Sequence, residues 1–545
     1  MNNASVSVLL LVVVAMSISM ALIPLMMRFA PALGMVDKPD ARKVHLVPTP
    51  RVGGVGIVIG ALAPLLIWLP LNDLTVSYLI GSLVLLGFGL WDDAQELGHY
   101  TKFIGQFAAV VLVVFYGDLW VQRFPFIDEP LPELVGKVFT VFALVGMINA
   151  INHSDGLDGL AGGESIMSLA AITVLAYLGA DEVALIIAFA AIGGLFGFLR
   201  FNSHPARVFM GDGGSQFLGF TLGFLAVYLT QVANPALSPA LPALFLGLPI
   251  IDILAVAAQR AYQGKNWFRA SKNHIHHRLL ELQFHHYESV MIIYSIQALL
   301  VFCAVLMPYE SDARILGVYV LVSAGLFMFL IIAERTGWRA HKGRNQGALV
   351  GYFVDMKVGG NLEKADRYFI QVLLSVFLLV GALFSSSMPR DMAMAAAVLF
   401  VLLFVRLLGG YRLWFLFLRL ILFVTVAFVA YLIEYYPPDL LRVYPALLYA
   451  FYVLLALGVG VSIRYSRGNT FEVTPLDYLV LLIVIALAIV SEKGYVNLVL
   501  VRMSVELIIL FYGAEVVIKR MTNRWNMFTV AVLSALGVAA VRGLI

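Results

Sequence analysis

Long apolar runs separated by short polar clusters fill this chain from end to end. A helix needs about 20 mostly apolar residues to cross a bilayer. By that measure the pattern predicts spans near 5–27, 53–70, 76–91, 103–117, 138–152, 164–179, 183–200, 215–231, 240–259, 290–308 and 314–334. A second set follows near 369–386, 392–409, 413–434, 443–463, 476–491, 497–517 and 527–544. The predicted fold class is an all-α polytopic membrane protein, with about 11 spans in front and about 6–7 behind. Residues 335–368 are polar, basic and free of apolar runs, so they read as a cytoplasmic linker between a membrane domain at 1–334 and another at 369–545.

Composition agrees. Hydrophobic residues make up 61% and charged residues 13% of the chain, against about 25% charged in soluble proteins. So little charge cannot cover a globular surface, and the expected solvent is the lipid bilayer. The formal net charge of +3 gives no reason to expect nucleic acid as a partner. With Cys303 as its only cysteine, the chain carries no disulfide framework. The first apolar stretch lacks a basic segment before it and is followed by Arg28, which reads as a retained span with an outside N-terminus. Alternate loops then fall on the cytoplasmic side, and they hold the basic residues Arg28, Lys38, Arg42, Lys43, Arg51, Lys102, Arg200, Arg207, Arg260, Lys265, Arg269, Lys272, Arg278, Arg335, Arg339, Lys342 and Arg344.

The polar motifs sit on that same side. Trp91-Asp92-Asp93 ends the third span, and adjacent carboxylates at a membrane boundary suit a divalent cation or a general base. A lone acid pair is more often a solvated helix end. Asn149, Asn152, Asp155 and Asp158 recur every third residue in NAINHSDGLDGLAGG. Each step of three turns a helix face by about 60°, so the four form one wall only where the helix breaks, as the glycines allow. Asp212, in FMGDGGS, is a candidate ligand for a hard cation, and Phe209 is either a stacking platform for a flat base or an ordinary core aromatic. His274, His276, His277 and Arg278, in NHIHHR, match no structural zinc spacing and read better as an anion clamp. A basic loop on anionic lipid is the competing reading there. In the first loop, Arg42, Lys43, His45 and Arg51 could hold a carrier phosphate at the lipid surface, and alone they would be only the positive-inside signal.

Several of these motifs, in this order, resemble one family. The DKP…RKVH…PTPRVGG loop, WDD with Lys102 downstream, NAINHSDGLDGL, FNSHPARVFMGDGGS and HIHH are similar to those of the polyprenyl-phosphate N-acetylhexosamine-1-phosphate transferases. The branch with HIHH includes the bacterial undecaprenyl-phosphate GlcNAc-1-phosphate transferases. The resemblance covers residues from about 20 to 334. It implies transfer of GlcNAc-1-phosphate from a UDP-N-acetylhexosamine to undecaprenyl phosphate with release of UMP, the first membrane step of cell-surface glycan synthesis. It implies Mg²⁺, with Mn²⁺ as a substitute, held by Asp212 and Asn152. It implies Asp92 and Asp93 as the pair lining the site, Lys102 on phosphate, and Asp155, Asp158, Asn202 and Phe209 around the nucleotide. It implies His274, His276, His277 and Arg278 around the diphosphate and sugar. The expected location is the bacterial inner membrane with a cytoplasmic active site, and a homodimer is one expected assembly. His153-Ser154 departs from the apolar pair usual between the Asn and Asp, and nothing after about 335 matches the family pattern. A transporter is the rival reading, but it would place charge near the bilayer midplane rather than at one face.

Overall fold

In lipid only a helix or a closed barrel satisfies its own backbone, and the apolar runs accordingly fold as helices. A computed structural model of the protein describes residues 3–37, 47–264, 273–341, 360–408, 415–465, 498–519 and 526–544. Ten helices among the described residues are long and apolar enough to cross a membrane. The residues form two compact units, one holding the described residues up to 341 and the other those from 360 onward.

The first unit opens with α1 (Asn3–Phe29), then a short antiparallel pair of β1 (Val36–Asp37) and β2 (Thr49–Pro50). It continues with α2 (Gly53–Trp68), α3 (Asp73–Gln95), α4 (His99–Val111), α5 (Glu133–Ser154), α6 (Leu160–Leu178), α7 (Glu182–Asn202) and α8 (Gly211–Tyr228). It closes with α9 (Pro242–Phe245), α10 (Gly247–Tyr262), α11 (Ile275–Glu281), α12 (His286–Leu306) and α13 (Asp312–Arg335). The central element is α8, packed against α2, α3, α5, α6 and α7. Its many small residues let neighbouring backbones approach, which is how helices gain contact where lipid removes the hydrophobic drive. On its face toward α3, Tyr78 stacks on Phe220 with 5.7 Å between centroids and shares a 3.0 Å hydrogen bond with Thr221.

The span expected at 240–259 is broken between α9 and α10, beside Gly247 and Pro249. A break at membrane depth survives only where side chains take up the released backbone groups. Here the Phe245 carbonyl accepts from Ser168 Oγ at 2.6 Å and Gln297 Nε2 at 2.9 Å, and the Gly247 carbonyl accepts from Tyr319 at 3.1 Å.

The second unit contains α14 (Gly360–Phe384), α15 (Arg390–Leu408), α16 (Phe415–Tyr435), α17 (Asp439–Val443), α18 (Pro445–Tyr465), α19 (Leu498–Lys519) and α20 (Met527–Leu544). Residues 360–368 of the expected linker are thus helical, and its middle, 342–359, lies outside the described residues. So does the span expected at 476–491, and so do the side chains of Arg406, Arg419 and Arg502. The unit has its own apolar core, in which Phe377 stacks on Phe451 at 4.8 Å. Arg542 donates to the Ala382 carbonyl at 2.7 Å and the Ser385 carbonyl at 2.6 Å, closing the end of α14.

Candidate active site

A cavity of about 770 Å³ opens where α3, α5 and α8 meet at one level. Gly211 starts α8 at φ +71°, and a Cβ there would lie 2.5 Å from Asp93 Oδ2. Only glycine fits that turn. It brings the first amides of α8 onto Asp93, whose Oδ1 accepts from Asp212 N–H at 3.0 Å and Oδ2 from Gly213 N–H at 3.3 Å. Those amides have no partner inside their own helix, and an anion there also meets the favourable end of the helix dipole. Asp93 is therefore a cap reaching across from α3.

Asp92 faces the other way. Its Oδ1 accepts from Leu97 N–H at 2.6 Å, and its Oδ2 lies 2.6 Å from Lys102 Nζ. The same ammonium lies 2.6 Å from Asp212 Oδ2. Asn152, from α5, donates to Asp212 Oδ1 at 3.1 Å and to Ser215 Oγ at 2.8 Å. Four separate stretches of chain thus converge on Lys102 and Asp212.

The helix α5 ends at Ser154, so the three-residue repeat divides. Asp155 and Asp158 lie on the following turn and line the cavity with Asn152. Asn149 does not line it: its amide donates to Gln106 Oε1 and the Val145 carbonyl, both at 2.8 Å. The Asp155 carboxyl is pushed up to about 7, first by burial and then by the charges of Asp212 and Asp158. Burial works the same way on Asp158, but hydrogen bonds from His204 at 2.6 Å and Ala206 N–H at 3.0 Å hold it below the usual carboxylate range. Asn202 has a bracing role, accepting from Gly159 N–H at 2.8 Å and donating to the Val208 carbonyl at 2.9 Å. Phe209 and Arg51 complete the rim, with Arg51 ion-paired to Asp37. Arg42, Lys43 and His45 lie outside the described residues, as do Lys38, Lys265, Arg269 and Lys272.

The histidine segment separates. His277 lines the cavity. His276 is buried against Gly156, where a Cβ would meet its Nε2 at 2.2 Å. Burial, then the neighbouring His277, lowers its pKa to about 3, so its ring is neutral. His274 is buried too, with Nδ1 2.8 Å from Asp252 Oδ2. Arg278 holds Glu334 through two hydrogen bonds of 2.7 and 3.0 Å and lies over Phe327, away from the cavity wall. The expected four-residue anion clamp is thus reduced to His277, because successive helical residues point about 100° apart.

Sequence reasoning missed Asp252, His204 and His286. The last stacks on His204 at 4.1 Å and accepts from Asp158 N–H at 3.1 Å. Asp252 is a lone polar residue in an apolar run, and His204 and His286 take their place from a distant partner, Asp158, which no spacing rule marks. The cavity's donor set fits a hard divalent cation. Asp92, Asp93, Asp155 and Asp212 outnumber the cations beside them, Lys102 and Arg51, and Arg51 is already paired. Asp212, Asn152 and Asp155 could supply oxygen donors of the kind that Mg²⁺ takes.

The chain matches the family model described as Glycosyl transferase family 4 over residues 75–230, a stretch that holds every floor residue but not the histidine segment. It is 32% identical over 342 residues to a probable undecaprenyl-phosphate N-acetylglucosaminyl 1-phosphate transferase of Bacillus subtilis, covering 62% of this chain and 94% of the relative. It is 33% identical over 256 residues to an undecaprenyl-phosphate alpha-N-acetylglucosaminyl 1-phosphate transferase of Haemophilus influenzae, covering 46% of this chain and 72% of the relative. It is 30% identical over 341 residues to a decaprenyl-phosphate N-acetylglucosaminephosphotransferase of Mycobacterium tuberculosis, covering 55% and 84%.

Proposed function

The chain belongs to the polyprenyl-phosphate N-acetylglucosamine-1-phosphate transferases, and on that premise we propose that it moves GlcNAc-1-phosphate from UDP-GlcNAc to undecaprenyl phosphate and releases UMP. The observation that carries the reading is Lys102 held between Asp92 and Asp212 at the start of α8, on the floor of a cavity large enough for a nucleotide sugar. A phosphate oxygen of the carrier attacks the β-phosphorus of the donor. The bond from that phosphorus to the bridging oxygen breaks, and UMP leaves with the electron pair.

Lys102 offers its ammonium to the reacting phosphates. Asp92, which lines the cavity beside Lys102, takes the proton of a carrier phosphate that arrives singly ionised; Asp93 is committed to the amides of α8. Phe209, Asp158 and Asp155 form the nucleotide end, with Phe209 stacking on the base and Asn202 bracing the turn. His277 meets the diphosphate and sugar. Mg²⁺, held by Asp212 and Asn152 with Asp155 at hand, would neutralise phosphate charge during transfer. The basic residues of alternate loops support a cytoplasmic-face site in a bacterial inner membrane with the N-terminus outside.

The test is UMP release by purified protein given undecaprenyl phosphate, UDP-GlcNAc and Mg²⁺, with and without EDTA. The expected result is release that needs the carrier and stops with EDTA. Folded protein that turns over no UDP-acetamido sugar would overturn the proposal and favour lipid-carrier transport.

A further inference from the structure

Asp252 lies on α10, just past the corner at Leu246, and is 7% exposed. Both its oxygens are engaged by the histidine segment: Oδ2 lies 2.8 Å from His274 Nδ1, and Oδ1 accepts the Ile275 N–H at 2.8 Å. A carboxylate at such distances accepts, so His274 donates from Nδ1. That bond sets the tautomer and the plane of the ring. One residue thereby grips a side chain and a main-chain amide of the same segment, fixing how α11 is turned and where it starts.

The consequence passes along a row of rings. His274 stacks with His153, from the end of α5, at 5.1 Å, and with His276 at 5.9 Å. His276 lies 4.2 Å from His277, the histidine of the segment that lines the cavity.

We propose that Asp252 is a positioning residue of the transfer reaction: it seats the histidine segment so that His277 faces the donor, an inference that rests on the transferase reading above. Asp252 does not line the cavity. Its effect runs through His274 and the start of α11, as outer partners of active groups do elsewhere, where their loss costs about 10–100-fold.

The test uses the full chain with Asp252→Asn, which can still accept the Ile275 amide but cannot accept from His274 at the same strength. The KM for UDP-GlcNAc should rise, taking kcat/KM down about 10–100-fold, with KM for undecaprenyl phosphate unchanged. A purely structural defect would lower the active fraction and leave both KM values alone. Adding His274→Asn to Asp252→Asn should cost little more, because the two act as one unit. Amide exchange at residues 273–281 should rise in Asp252→Asn without substrate present. Wild-type kcat/KM, independent losses in the double variant, or unchanged exchange would each overturn the inference. Absence of turnover in the wild-type protein would instead sink the transferase reading, and exchange would still report on the seating.

Discussion

The floor of the cavity and the histidine segment look alike in sequence, each a dense polar run beside an apolar span, yet they fold in opposite ways. On the floor, Asp92, Lys102, Asn152 and Asp212 come from α3, α4, α5 and α8 and meet within hydrogen-bond distance of one another. In the histidine segment, neighbours at the start of one short helix keep their rings close to one another but take different partners. His274 goes to Asp252, His276 against Gly156, His277 to the cavity and Arg278 to Glu334. Convergence comes from separate helices crossing at one level, whereas adjacent residues on a helix do not face each other. Density of polar residues along the chain therefore marks a site without saying which members enter it.

The largest test of that contrast is Asp212→Asn. Removing a group that several elements converge upon should lower kcat by at least about 10³-fold, measured as UMP release from protein that still elutes as a folded species. Turnover near the wild-type rate would dissolve the floor as a unit. Next come the two histidines. His277→Ala should cost about 10²-fold in kcat. His276→Ala should lower Tm more than His277→Ala does and take less from kcat. The reverse ranking would mean that the segment turns differently when substrate binds. The smallest effect belongs to Arg278 and Glu334, a partly exposed pair worth less than about 1 kcal/mol. Arg278→Ala should lower Tm more than Glu334→Ala, because it also loses Phe327, the double variant should drop no further than Arg278→Ala, and donor KM should not change. A raised donor KM in Arg278→Ala alone would return that residue to the site.

Much of this was legible in advance because lipid leaves so few choices. Spans of about 20 apolar residues have to be helices, and α3, α5, α7 and α8 fall where the pattern puts them. The floor was legible for a related reason: carboxylates are costly near lipid, so Asp92, Asp93 and Asp212 at span ends call for a partner. The corner at Leu246 was not legible, since its stability depends on Ser168, Gln297 and Tyr319, each an ordinary polar residue on another helix. Asn149 shows the limit of periodicity. Three residues before Asn152 on the same helix, it is turned by about 60° and bonds Gln106 instead. Asp252 shows the limit of motifs, since its meaning lies wholly in His274 and Ile275.

The ammonium of Lys102 between two carboxylates carries one more implication, about affinity. The floor has a counter-ion of its own, tethered by a side chain and so present at high effective concentration. Lys102 is thereby a built-in competitor for any dissolved cation that approaches Asp92 or Asp212. The strength with which the floor would hold a free cation would be set by the difference between two rivals rather than by the carboxylates alone. Substrate phosphates shift that contest, because they offer Lys102 somewhere else to go. Cation and donor should then bind cooperatively, each easing the entry of the other, with the lysine as the exchanged piece.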